Sequence, residues 1–367
     1  MKTLTDSEKK FMAGLDVFCR VVLGLVFAFS GLVKALDPLG TVYKIEDYLK
    51  AFGGFWTDLM PLAGVAAVCL ILTECVLAWV LLSNTWRKTG SVLTLLFYCV
   101  MLPLTFWISI TNPVSDCGCF GDAIVLTNQQ TFIKNVFLFG LAFSWFMMVW
   151  FISEPGKLHK TGQWLWPGLG LILNSLLMIY TVSYIPLVDF RPYKVGADLI
   201  KMLEIPEDAP ADVYKTTLIY ADQDGNEKEF TLENYPKNDP NWTFVDQKSE
   251  LVSKGYESPI HDFIIYDNED NDITYDILEA EDTVTLCILY DLKRADKGAA
   301  IKVAALAAKT ENLYILTGSG EEEIAGFEFP EEVPVCFCDP VTLKTIVRAN
   351  PGVVVLNHGV ITKKYHL

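Results

Sequence analysis

Five long apolar runs fill the first half of the chain. Near residue 188 they give way to short alternating runs separated by acidic turns. A helix that crosses the hydrocarbon core of a bilayer needs about 20 mostly apolar residues. Residues 17–36, 59–82, 90–110, 134–152 and 164–188 meet that requirement and predict five spans. The fifth is the least regular, with Pro167, Gly168 and Gly170 near its start, Asn174 inside it and Pro186 at its end.

Beyond the spans the period changes. Residues 216–220 and 228–232 read as two strands around an Asp224-Gly225 hairpin turn, so residues 189–254 form a β-rich linker module. The carboxylates at Asp222 and Asp224 lack the full twelve-position pattern of a calcium loop and read as a solvated turn. From Gly255 onward, short strands are expected at 262–267 and 273–278. A continuous apolar strand follows at 283–290, a helix at 297–310 and a second central strand at 313–317. A hairpin at 353–356 and 360–363 turns through Asn357-His358-Gly359. Strands alternating with helices make an α/β layer. The expected division is a membrane bundle at 1–163, a fifth transmembrane helix at 164–188, the linker module at 189–254 and an α/β domain at 255–367.

Charge sharpens this division. The 367-residue chain has a formal net charge of −16, but residues 1–188 carry 12 Lys and Arg against 11 Asp and Glu, so the whole excess is in the second half. No basic patch accompanies the aromatics, which argues against nucleic acid as a partner. The first apolar run ends in Lys34 and Asp37-Pro38 with no small-residue cleavage site, and reads as a retained span. Lys9, Lys10, Arg87, Lys88, Lys157 and Lys160 fall on one side of a five-span arrangement, expected to be cytoplasmic. The remaining loops and everything after Val188 then face the other side. The expected location is a bacterial inner (cytoplasmic) membrane, with the N-terminus cytoplasmic and the C-terminal domain in an oxidising periplasm.

The chemistry concentrates in Asp116-Cys117-Gly118-Cys119-Phe120-Gly121-Asp122, between the third and fourth spans. In Cys-x-Cys both sulfurs can face one partner: a metal, a second thiol pair, or each other in a small-ring disulfide of the reducible kind. Two unpaired loop cysteines, or one static disulfide, is the plainer reading. Charges inside spans are costly and invite a functional hypothesis. Arg20 and Glu74 each lie roughly 10 Å from the cytoplasmic face at 1.5 Å per residue and are expected to pair. Lys34 sits near the outer face, at the depth of Asp37, Asp116 and Asp122. It is expected to hold the loop through one of these carboxylates, or to favour a thiolate at Cys117 or Cys119. Cys19, Cys69, Cys75 and Cys99 are expected to be packing residues.

Arg20, Gly24, Phe27, Ser30-Gly31, Lys34 and Asp37-Pro38 resemble the first-helix signature of DoxX-type membrane proteins, and Glu74 falls where that family often has a second-helix glutamate. The loop from Asp116 to Asp122 resembles the branch related to the methylamine-utilisation protein MauE. The resemblance covers residues 15–152. It implies a DoxX-like four-helix core plus a fifth span, and a role in disulfide formation during maturation of an extracytoplasmic partner. The core is also similar to vitamin K epoxide reductase-like proteins, which pass electrons from thiols to a quinone. That similarity implies a quinone as cofactor and a thiol:quinone oxidoreductase-like activity. Those enzymes use Cys-x-x-Cys, whereas this chain has Cys-x-Cys.

Residues 255–367 resemble a thioredoxin-like domain of the peroxiredoxin or thiol-disulfide oxidoreductase type. Ser258-Pro259-Ile260-His261-Asp262-Phe263 matches the opening of that group, and Pro351 stands where its cis-proline would be. The resemblance implies active-site cysteines after the strand ending near Tyr290. The residues there run from Asp291 to Lys297 without a cysteine, and Cys287 lies inside the strand. Cys336 and Cys338 form another Cys-x-Cys, on one face if extended.

The functional expectation is therefore a thiol-redox membrane protein. Cys117 and Cys119 form the pair, Lys34 stabilises charge, Cys336 and Cys338 form a second candidate pair, and no metal is involved. The alternative is a non-catalytic membrane anchor carrying a thioredoxin-like protein-binding module. The bilayer and an extracytoplasmic protein are the expected partners. A small-solute transporter is disfavoured, since no inverted repeat or paired broken helices stand out.

Overall fold

The computed structural model describes residues 5–151, 160–184, 186–206, 208–237, 239–253, 255–256, 258–260, 262–295 and 298–367. The expectations placed on Ile152, Lys157, His261 and Lys297 lie outside the described residues. By internal contacts the chain divides into two compact units. One comprises Met1–Lys194, Lys344–Val353 and Lys364–Leu367, the other Val195–Leu343 and Val354–Lys363.

The first unit is built from helices α1 (Asp6–Leu36), α2 (Pro38–Phe52), α3 (Ala63–Ser83), α4 (Arg87–Thr111), α5 (Asn128–Phe151) and α6 (Lys160–Ser183), with a 3₁₀ stretch Gly54–Leu62 leading into α3. Five segments are long and apolar enough to cross a membrane: Asp6–Leu36, Gly54–Ser83, Arg87–Thr111, Asn128–Phe151 and Gln163–Val182. They lie where the apolar runs predict. Large apolar side chains cover their outer faces, including Leu25, Val65, Val100, Ile110, Phe137 and Ile172. Such a surface is stable against lipid and not against water. This is a membrane protein.

Local signals account for the helix ends. A capping box between Thr5 and Glu8 starts α1. Asp37 ends α1 and also caps α2, its carboxylate accepting from the Gly40 amide at 3.0 Å, while Pro38 takes the first helical position. The sequence predicts a plain loop here. The structure instead forms a 15-residue helix, because the Asp-Pro cap restarts the chain at once.

The bundle core joins Leu23 and Phe27 of α1, Leu77 and Leu81 of α3, Tyr98 of α4, and Leu138 and Trp145 of α5. Helices without a water-driven force between them need close backbone approach. Gly31 supplies it: a Cβ there would lie 2.7 Å from Cys75 Sγ and 3.1 Å from the Cys75 amide nitrogen.

The second unit begins with α7 (Leu199–Leu203). An antiparallel sheet follows, of β1 (Val213–Ala221), β2 (Glu227–Thr231) and β3 (Thr243–Ser253), in the order β2-β1-β3. Then come α8 (Thr274–Leu278), β4 (Val284–Leu289), α9 (Ala299–Ala307), β5 (Leu313–Thr317), α10 (Glu321–Ile324), β6 (Val335–Phe337), α11 (Pro340–Ile346), β7 (Gly352–Asn357) and β8 (Val360–His366). The five-stranded sheet has the order β6-β5-β4-β7-β8, and β4, β5 and β6 run parallel. Every residue of β4 is buried, as its unbroken apolar sequence predicts. The turn from β7 to β8 places His358 and Gly359 at φ of 46° and 71°, the left-handed pair of a two-residue hairpin. The Asn350-Pro351 bond is cis, as expected.

Two expected strands differ. Residues 262–267 form only isolated bridges, at Tyr266 to Asp272 and Phe337. Residues 274–278 are helical: Thr274, Ile277 and Leu278 bury one face at helical spacing, and the Asp272 carboxylate accepts from the Thr274 amide at 2.9 Å.

Candidate functional site

Side chains hold the Cys-x-Cys loop at the Cys117 and Cys119 carbonyls and at the Gly118 amide. Asp116 forms an ion pair with Lys44 of α2 at 2.9 Å and accepts from the Gly118 amide at 2.7 Å. Tyr48 of α2 donates to the Cys117 carbonyl at 3.2 Å. Gly118 and Gly121 take φ of +65° and +51°, closing a turn in which the Gly121 amide donates to the Gly118 carbonyl at 3.1 Å. Ser30 of α1 lies 2.7 Å from the Cys119 carbonyl oxygen. Phe120 packs edge-on against Phe29 at 5.4 Å, with Lys134 of α5 above its ring at 4.2 Å.

Beneath Ser30 lies a buried ion pair. Lys34 Nζ donates to Glu74 Oε1 at 2.6 Å, to Glu74 Oε2 at 2.9 Å and to Ser30 Oγ at 2.8 Å. Ser30 Oγ is also 2.9 Å from Glu74 Oε2. Its single proton best serves the Cys119 carbonyl, the shorter of the two contacts, since Lys34 already donates to both carboxylate oxygens. Glu74 therefore pairs with Lys34 and not with Arg20, and Lys34 pairs with none of Asp37, Asp116 or Asp122. The cause is the direction of side chains. Cα–Cβ bonds lean toward a helix's own N-terminus. Lys34 leans back along α1 and Glu74 back along α3, so in the antiparallel pair they meet. Arg20 also leans toward the start of α1, which carries it away from Glu74, and it donates to the carbonyls of Leu81 and Leu82 at the C-terminal end of α3. Counting depth at Cα misses both effects.

The two sulfurs stand 2.8 Å apart, a thiol pair within reach of closure. Cys117 is buried and Cys119 is more open. The environments of the two thiols diverge. The hydrogen bond shared with Cys117 lowers the Cys119 thiol below its ordinary value, against the opposing effect of burial, with Lys134 and then Lys34 adding to the lowering. Donating that proton, together with burial, pushes the Cys117 thiol up.

A second set of contacts ties residues 344–353 into the same unit. Arg348 Nη2 donates to Asp37 Oδ2 at 2.8 Å and reaches Asp122 Oδ2 at 3.5 Å, and the guanidinium lies 5.3 Å from the Tyr43 ring centre. Burial pushes the Asp37 carboxyl up, but the Arg348 charge and hydrogen bond override it and hold it below the ordinary carboxylate range. Burial pushes Asp122 up, and there Arg348 only partly offsets it.

Residues 12–148 match the family of the methylamine utilisation protein MauE. Within the membrane half, the region of helices α1 to α5 is MauE-like. Residues 214–254 match a domain of unknown function (DUF8463), which spans the β2-β1-β3 sheet. No curated protein and no solved structure matches the chain. The MauE-like region holds Ser30, Lys34, Glu74, Cys117, Cys119 and Lys134, and ends before α6.

Between α1 and α3 of the MauE-like region and α6 lies an open cleft of about 740 Å³. Trp79 and Trp166 stack along its wall at 6.0 Å, and Cys75 and Asn174 also face it. Of the four span cysteines, Cys19 and Cys75 are buried as expected, whereas Cys69 and Cys99 lie exposed on helix surfaces. Cys336 is buried in β6, and Cys338 is buried just beyond the strand's end. Burial pushes their thiols up to about 11 and about 12. Cys287, in the middle of β4, is fully buried.

Sequence reasoning missed Lys44, Tyr48, Lys134 and Arg348. Thr41, Lys44 and Tyr48 share one face at helical spacing, a signal available once Asp37-Pro38 is read as a helix start. Nothing in the sequence marks Arg348, which is 226 residues from Asp122.

Proposed function

We propose that this MauE-like protein is a thiol-disulfide redox protein of a bacterial cytoplasmic membrane, with Cys117 and Cys119 as the exchanging pair. The observation that carries the reading is the pair itself: two sulfurs at 2.8 Å in a loop whose backbone is pinned by Lys44, Tyr48 and Ser30. A merely connecting loop has no need of such anchoring. A thiolate next to a proton-donating thiol is the arrangement that disulfide exchange uses. Lys34, its charge largely matched by Glu74, holds the Ser30 hydroxyl that fixes the Cys119 carbonyl. The partner is an extracytoplasmic protein dithiol, and the loop and the C-terminal domain lie on the periplasmic side.

The cleft between α1, α3 and α6 fits a quinone in size and character: apolar walls, two indole faces and few polar groups. Trp79, Trp166 and Asn174 would hold its ring. When bound, a quinone supplies a two-electron acceptor within the bilayer.

The strand order β6-β5-β4-β7-β8 supports a thioredoxin-like reading of the C-terminal sheet. After β4, where the nucleophile of such domains sits, the chain has Leu292, Lys293 and Arg294 in a 3₁₀ turn. That observation favours a binding rather than a catalytic role for this domain, so the anchor-and-binding reading of the whole chain stands second. Cys336 and Cys338 are assigned to packing.

Thiol alkylation of the full-length protein in membranes, read as peptide mass shifts, tests the proposal. The Cys117–Cys119 pair is expected to move between disulfide and dithiol when a reduced or oxidised quinone analogue is added. A pair that stays in one state under both additions leaves the anchor reading ahead.

A further inference from the structure

The two cysteines of the loop are not equivalent. Cys117 is 7% exposed, and its sulfur faces Cys119 at 2.8 Å. Cys119 is the more open of the two. Around Cys119 the charges are also uneven. The Lys34 ammonium is matched by the Glu74 carboxylate at 2.6 Å, so its field at a distance is largely cancelled. Lys134 has no carboxylate partner among the described residues. Its ammonium sits over the ring of Phe120, the residue that follows Cys119.

We infer that Cys119 is the sulfur that forms the mixed disulfide with the partner, that Cys117 is the resolving thiol, and that Lys134 is the positioning charge that holds Cys119 as a thiolate. The inference rests on the thiol-disulfide reading above and adds the roles within it.

The steps balance as follows. A partner thiolate attacks Cys119 Sγ of the Cys117–Cys119 disulfide. The S–S bond breaks, and Cys117 leaves with the electron pair and takes up a proton, which its high proton affinity favours. The partner's second thiolate then attacks its own sulfur in the mixed disulfide, and Cys119 departs as a thiolate. The partner dithiol has lost two electrons and two protons. The pair has gained both electrons and one proton, and the other proton goes to solvent. Stabilising the departing Cys119 thiolate favours the reduced pair, which makes the disulfide a better oxidant of partner dithiols. The same contacts run in reverse if the partner arrives as a disulfide.

The test uses the reduced full-length protein in membranes and 5,5′-dithiobis(2-nitrobenzoate), an activated disulfide, with adducts assigned by peptide mass. In the wild type, brief labelling at pH 7 with iodoacetamide should mark Cys119 first. In C117S, whose serine hydroxyl can still donate to Cys119, the mixed disulfide should accumulate on Cys119 at least about tenfold faster than on Cys117 in C119S. In the C117S background, K134Q should move the midpoint of the rate-against-pH curve upward, and K134R should restore it. Faster labelling of Cys117 overturns the assignment while leaving the redox reading standing. An unchanged midpoint in K134Q overturns the role of Lys134. If neither thiol reacts until the protein is denatured, the exchange reading fails together with the assignment.

Discussion

Lys34 and Glu74 meet at 2.6 Å between α1 and α3, both side chains almost wholly buried, with Ser30 linking them to the carbonyl of Cys119. The pair sits where water does not, so each charge depends on the other. Removing one partner of a buried pair typically costs about 3–5 kcal/mol, whereas replacing both by apolar groups is far cheaper. K34M and E74L should each lower the thermal midpoint of the purified protein strongly, and the double variant should recover much of the loss. A double variant as unstable as the sum of the single ones would show that the two residues act separately.

Gly31 permits that meeting. A side chain at this position collides with Cys75, and the backbone there cannot yield without separating α1 from α3. Gly31→Val should destabilise the bundle by about 1–3 kcal/mol, the usual range for overpacking. It should also raise the reactivity of Cys75 toward a membrane-permeant maleimide. Wild-type midpoint and reactivity in the variant would place the helix contact elsewhere.

The lowered thiol of Cys119 has a consequence for reactivity with pH. With the thiol held below its ordinary range, more of Cys119 is thiolate at neutral pH than of an ordinary thiol, and that excess is lost as pH falls through the lowered value. An ordinary thiol is half ionised near pH 8.5. The iodoacetamide rate at Cys119 in the reduced protein should therefore reach its plateau at a lower pH than that of an ordinary thiol. A midpoint near 8.5 would remove the proposed stabilisation.

Arg348 and Asp37 give an acid-side prediction. The folded Asp37 carboxyl lies below its ordinary value, so it contributes stability at neutral pH that is lost as pH falls through the lowered value. R348Q removes the lowering and leaves burial pushing the Asp37 carboxyl up, so the acid-side fall of its thermal midpoint should be shallower than that of the wild type, from a lower value at neutral pH. Asp122 has a raised carboxyl and acts with the opposite sign, and comparing R348Q with and without D122N separates the two. Parallel pH curves for R348Q and the wild type would mean that Arg348 does not set the Asp37 carboxyl.

Tyr48 anchors the loop through one neutral hydrogen bond to the Cys117 carbonyl. Y48F should cost about 0.5–1.5 kcal/mol, small enough for the fold to survive. It should nevertheless slow closure of the Cys117–Cys119 disulfide by loosening the geometry of the pair. Unaltered closure kinetics would show that Lys44 and Ser30 suffice.

What the sequence determined by itself is what depends on local composition and period. The five spans follow from runs of apolar residues, because a bilayer demands length and apolarity and little else. The strand β4 and the hairpin at His358-Gly359 follow from an unbroken apolar stretch and a left-handed turn pair. The candidate thiols at Cys117 and Cys119 were legible because Cys-x-Cys between glycines and carboxylates is unusual in any loop. Local reading failed where two signals competed: residues 274–278 favour a strand by composition, yet their buried face has helical spacing. What only the tertiary structure decided is the partnership of charges. Lys34 finds Glu74 because two antiparallel helices aim their side chains toward one another. Arg348 finds Asp37 and Asp122 across more than two hundred residues. The difference between Cys117 and Cys119 has the same origin. Burial, a shared proton and the field of Lys134 are properties of a folded neighbourhood, and two identical residues one position apart carry none of them in the sequence.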